Sequence, residues 1–166
     1  ESGDPVVAGQ PIGWIAAADG RPDPYLAERV TAGLDISRTR ELEHSLTYAI
    51  VALVDIAIIA LSPAVNDPNS AVEVIEELSF LFPELVELPL GPVAVTDTRG
   101  SGRVVVVTRT FGEFVDLATD QIVLYGADDP NVQRALRRLA RSLELLELGD
   151  VDRTRVEALV ARVDDR

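Results

Sequence analysis

Apolar positions crowd one stretch of the chain, Leu46 to Leu61 (LTYAIVALVDIAIIAL), where the single charged side chain is Asp55. Its length and near-continuous hydrophobicity predict a central helix from Arg38 to Leu61. Pro63 ends it, because a residue before proline avoids the helical region. Three further helices are announced by the same Asp-Pro dipeptide, at 23–24, 67–68 and 129–130. Aspartate caps the free N–H groups of a first turn, and proline loses nothing at the first helical position. These helices are expected to run to about Ile36, Phe82 (closed by Pro83) and Leu148 (stopped by Gly149). Phe111 to Tyr125, with Gly126 after it, and Asp152 to Val163 have helical spacing too.

Two regions have strand character instead. PVAVTD (92–97) and RVVVVT (103–108) flank Thr98–Gly102 and predict a β-hairpin. Val104 to Val107 does not alternate with polar residues, so both faces of that strand are expected to be covered. GDPVVAGQPIGWIA (3–16) places two short apolar runs around Ala8-Gly9-Gln10-Pro11 and predicts a smaller hairpin. The expected fold class is therefore α+β, mostly helical, with about six helices and two short β-hairpins in one soluble domain covering residues 1–166.

Composition narrows the function. The net charge of −13 and pI near 4.4 argue against nucleic acid as a partner. Cysteine is absent and His44 is the one histidine, which excludes disulfides, thiolate metal sites and a multi-imidazole zinc site within one chain. The longest apolar stretch, Tyr48 to Leu61, is shorter than the roughly 20 residues of a membrane span. Methionine is missing even from position 1, as expected of a piece cut from a longer protein.

Four constellations could carry chemistry. On the central helix, His44, Tyr48, Asp55 and Ser62 fall on one line. His44 and Asp55 are nonetheless about 16 Å apart along the axis, too far for a hydrogen-bonded dyad. A carboxylate among apolar neighbours is expected to be buried and satisfied by backbone N–H groups of residues 63–67.

The second constellation is the elbow Ser62-Pro63-Ala64-Val65-Asn66-Asp67-Pro68-Asn69-Ser70-Ala71. Asp67 is most simply an N-cap and Asn66 an Asx turn. The alternative is a ligand site in which Asp55, Ser62, Asn66, Asp67 and Ser70 hold a hard cation, or the helix start holds an anion. Third come Asp116 and Asp120 with Gln121, either a solvated acidic face or a metal pair. Fourth is the stripe Arg134, Arg137, Arg138 and Arg141, beside an apolar seam of Val132, Leu136, Leu139, Leu143 and Leu146. The arginines either pair with carboxylates of the chain or touch an anionic membrane. No G-x-S-x-G, Walker A, G-x-G-x-x-G or H-E-x-x-H pattern occurs. Enzymatic activity is not specified, no cofactor is indicated, and a non-enzymatic reading is favoured. The apolar excess around Ile50 to Leu61 makes a homo-oligomer the expected state.

Two resemblances add to this. The pattern G-D-x-V-x-x-G-Q-x-I at Gly3 to Ile12 is similar to one hairpin of biotinyl/lipoyl-type barrel-sandwich domains, so residues 1–16 could close a preceding β module. The run L-V-D-I-A-x-x-A-L-S-P-A-V-N-D-P-N-S-A, Leu53 to Ala71, closely resembles the signature of bacterial predicted membrane proteins known as domain of unknown function 2254. F-x-x-x-x-D-x-A-x-D-Q-I and the following D-P-x-V, within Phe111 to Val132, resemble that family's later helices. The resemblance implies a soluble C-terminal part of an integral membrane protein. The elbow, the doubly covered strand and the apolar seam from Val132 to Leu146 then favour a regulatory or interaction domain on the cytoplasmic side, with its own transmembrane region as partner, over a metal- or anion-binding domain or enzyme centred on Asp55 and the elbow. The resemblance implies no activity. The family usually has glycine and isoleucine where Ala64 and Val65 stand here. It tends to polar or basic residues where Val51, Ala52 and Ile59 stand.

Overall fold

The computed structural model describes residues 6–15, 24–33, 45–96 and 103–165. Five of its helices close a ring. The elements are α1 (Pro24–Ala32), α2 (Leu46–Leu61), α3 (Pro68–Leu85), β1 (Val93–Thr96), β2 (Arg103–Val106), α4 (Phe111–Tyr125), α5 (Pro130–Glu144) and α6 (Asp150–Asp164). Around the ring, α2 packs on α3, α3 on α5, α5 on α6, α6 on α4 and α4 back on α2. The enclosed core is built from one face of each helix. Ile50, Val54 and Ala57 come from α2, and Ile75, Leu78 and Phe82 from α3. Val115 and Ile122 come from α4, Leu136 and Leu139 from α5, and Leu159 from α6. Phe82 and Phe111 meet edge to face, with ring centroids 5.7 Å apart, where α3 ends and α4 begins.

Local chemistry sets the helix ends. Ser45 accepts from the Tyr48 amide at the start of α2. Thr110 and Glu113 cap each other reciprocally at the start of α4. Asp129 accepts from the Asn131 and Val132 amides at 2.8 and 3.0 Å, so the third Asp-Pro start behaves as read. The first, at Asp23, lies outside the described residues, as do residues 38–44 of the expected central helix, His44 among them. Gly126 closes α4 at an ordinary φ of −91°. A glycine is needed there because a Cβ would lie 2.4 Å from Val132 Cγ1, so closely does α5 fold back.

Several boundaries differ from expectation. Helix α1 ends at Ala32, short of Ile36, and α2 starts at Leu46 behind an extended Ser45 (φ −116°, ψ 97°), so the helix expected from Arg38 does not run through that cap. Pro83 does not close α3. The helix continues to Leu85 and the Val86 amide still reaches the Phe82 carbonyl. Burial of Phe82 and Leu85 holds that last turn, and a proline so near the end removes a single donor on an exposed side. Helix α5 stops at Glu144 rather than Leu148, where the chain turns so that Leu146 and Leu148 pack on the core. Gly149 then serves as the N-cap of α6.

The strands form one antiparallel pair, with Val93 opposite Val106 and Ala94 opposite Val105. Contrary to expectation, β2 is not covered on both faces: Val105 and Val106 point to opposite sides and both are exposed. The hairpin stands away from the ring, so its unbroken valine run reflects β-propensity rather than burial. In the first hairpin region the described residues 6–15 contain the expected turn. Gly9 has φ +86°, and the Gln10 amide donates to the Val7 carbonyl at 2.9 Å. No strand is present in that region among the described residues.

Candidate functional site

The α2–α3 elbow and the outward face of α2 hold the five residues singled out as candidate ligands. The structure builds them from helix-end chemistry. Ser62, the C-cap of α2, donates its hydroxyl to the Ile59 carbonyl at 2.6 Å. The chain then tightens on itself. The Val65 and Asn66 amides both donate to the Ser62 carbonyl, at 3.1 and 2.8 Å, and the Asp67 amide donates to the Ala60 carbonyl at 2.8 Å. Asn66 takes the left-handed conformation, φ 51°, that lets the chain reverse. Asparagine is among the few residues that adopt it readily.

Asp67 then caps α3. One carboxylate oxygen accepts from the Ser70 amide at 3.4 Å and the other from the Ser70 hydroxyl at 2.7 Å. The Ser70 hydroxyl, then the Ser70 amide, hold the Asp67 carboxyl below its usual pKa. Asp67 and Ser70 therefore form one unit, as the capping reading required.

Asp55 does not join them in the way expected. It is exposed on the outward side of α2. The amides of Val65, Asn66 and Asp67, which were to satisfy it, are instead spent on the Ala60 and Ser62 carbonyls. The cause lies in the helix itself. The buried positions of α2 are Ile50, Val54, Ala57 and Ala60, and Asp55 lies on the opposite side at 100° per residue. The outward side is apolar as well: Ile56 is 52% and Ile59 61% exposed, with Val65 of the elbow 53% exposed beyond them. The sequence-derived line through Tyr48, Asp55 and Ser62 thus runs along the outward side of α2, exposed at Asp55 and half-buried at Tyr48 and Ser62.

The remaining constellations resolve into ion pairs. Arg155 and Arg162 of α6 meet Asp116 and Asp120 of α4 in turn, with Arg162 also 3.8 Å from Asp116. Arg155 further approaches Glu113 at 3.8 Å, while Asp152 accepts from the Gly112 amide at 2.8 Å. Hydrogen bonding to Asp116 raises the Arg155 pKa. The order of these contacts shows that α4 and α6 run parallel. The partner arginines were missed at the sequence level, although their spacing of seven equals the span from Glu113 to Asp120 on the neighbouring helix.

Along α5, Arg137 donates to the Val163 carbonyl at 3.0 Å and lies 4.0 Å from Asp164. Arg138 pairs with Glu76 of α3 at 3.0 Å, and Arg141 with Asp164 at 3.5 Å. Arg134 donates to the Asn131 side chain at 3.4 Å. The leucine seam of α5 is used up inside the ring, with Leu136, Leu139 and Leu143 fully buried. Among the described residues no group of three or more His, Cys, Asp or Glu side chains is placed to hold a metal.

The architecture defines a small helical α+β domain with an exposed apolar face on α2, and no helix among its described residues is long and apolar enough to cross a membrane. The chain belongs to the family described as predicted membrane protein, domain of unknown function 2254, whose family model matches residues 1–142. It is similar to uncharacterized proteins of Mycobacterium bovis and Mycobacterium tuberculosis, at 29% identity over 164 residues and 97% of this chain. The chain spans 32% of the length of these relatives. No solved structure matches it.

Proposed function

We propose that this domain is a non-enzymatic interaction module of a bacterial membrane protein, docking through the outward face of α2 and regulating the membrane region to which the chain belongs. The supporting observation is the exposure of Ile56 and Ile59 along an otherwise apolar helix. Contiguous exposed apolar surface of this kind marks an interaction site in a folded domain. Family membership supplies the membrane context. The elbow residues favour this reading over a ligand site, since both oxygens of Asp67 are already engaged by Ser70. Self-association belongs to the same proposal. Its surface is the β1–β2 hairpin, where Val93, Val105 and Val106 are exposed, since the α5 seam is internal and the α2 face is kept for the docking partner.

The absence of cysteine allows a direct test. In native membranes containing the natural full-length protein, Ile56→Cys should be protected from a membrane-impermeant thiol reagent, with labelling read at that site by peptide mapping. Glu84→Cys, on the exposed side of α3, should react freely. Equal reactivity at both positions overturns the docking role. The cytoplasmic placement requires that Glu84→Cys react only after the cells are opened.

A further inference from the structure

We infer that the outward face of α2 recognises an apolar helix carrying one central cationic side chain, and that Asp55 reads that cation. The inference rests on the docking role proposed above and specifies the partner's chemistry.

The face runs from Tyr48 to Ser62, about 20 Å at 1.5 Å per residue, which is roughly four helical turns. Asp55 is its midpoint. On either side of it lie Ala52, Ile56 and Ile59, none of which can neutralise a charge. Among the described residues Asp55 has no hydrogen bond and no ion pair, although other carboxylates of this chain, Asp116 and Asp120 among them, are matched with arginines. Whatever covers the face must therefore bury an unpaired carboxylate. That is costly unless the occupant brings its own cation or a set of donors.

This requirement separates the occupants. A second copy of the chain is the poorest fit. A two-fold contact centred on the face places Asp55 against its own counterpart, between bodies that each carry a net charge of −13. Lipid acyl chains would match Ile56 and Ile59 but leave Asp55 in hydrocarbon, and anionic headgroups are repelled by so acidic a domain. An apolar helix with a lysine or arginine at its centre meets both demands. The isoleucines supply contact area, and the charge pair fixes register and excludes neutral or acidic competitors. The acidic body of the domain also attracts a basic segment before contact.

The test uses this chain and two synthetic helical peptides of four turns. Both have an alanine–leucine contact face and a glutamine-rich back face, one with a central lysine and one with a central glutamate. The lysine peptide should bind at least tenfold more tightly than the glutamate peptide, with amide shift changes centred on Asp55, Ile56 and Ile59. Asp55→Lys should invert the preference, and its far-UV circular dichroism melt should match the parent. Equal affinities, a preference unaltered by Asp55→Lys, or shift changes away from α2 overturn the inference. So does a parent chain that dimerises symmetrically through this face. Thiol protection at position 56 in native membranes without any charge preference refutes the inference alone. Loss of that protection refutes the docking role beneath it.

Discussion

Ser70 turns both its amide and its hydroxyl back onto Asp67, one to each carboxylate oxygen, so that a single residue satisfies the cap of α3. Asp67→Ala should remove the acceptor and lower the Tm by a few degrees. Because folding depresses the Asp67 pKa, its contribution is fully present above the ordinary carboxylate pKa and is lost as pH falls below about 4. The stability difference between parent and Asp67→Ala in urea titrations should shrink over that acid range. A difference unchanged down to pH 2 would show that the carboxylate charge plays no part.

Gly126→Ala should destabilise by about 1–3 kcal/mol, the range for overpacking at a tight contact. The added Cβ would meet Val132 Cγ1 at 2.4 Å and the Ile122 carbonyl at 2.8 Å. Chemical denaturation would check this, and a variant equal to the parent would mean that α5 shifts freely against the end of α4.

Asp116 accepts from Arg155 and lies near Arg162, which makes it the centre of the α4–α6 ladder. Asp116→Ala should cost about 1 kcal/mol at low ionic strength and less in 1 M salt, since the pairs are partly exposed. A loss independent of salt would place the effect in packing.

Asp55→Leu should leave stability within about 0.5 kcal/mol of the parent, as for a surface position without partners. Burial among backbone donors, as first read from the sequence, would instead have cost about 2–4 kcal/mol. Thermal melts of the two proteins decide between them.

The sequence was most legible where a local rule acts alone. Asp67-Pro68 and Asp129-Pro130 set helix starts through contacts within one turn, and both are found as read, whereas the equally local Thr110–Glu113 box was not picked out. Pro83 and the end of α5 were misread because burial of Phe82, Leu85 and Leu148 is a tertiary effect that outweighs the local signal. Asp55 was misread for a similar reason. An apolar helix was assumed to be buried all round, whereas its burial is one-sided and its other face is apolar without cover. The ladder between α4 and α6 depends on which helices become neighbours, and neither helix alone specifies that.

The ring closes only through α6. Val156, Leu159 and Val163 cover α4 and α5, and the match to the family model ends at residue 142, before α6 begins. A chain emerging from the ribosome therefore holds α2 to α5 with an unsealed side until the fifteen-residue α6 appears. Commitment to the native arrangement is postponed until α6 has been made. Truncation ahead of α6 should yield an expanded, dye-binding, protease-sensitive species rather than a smaller stable core.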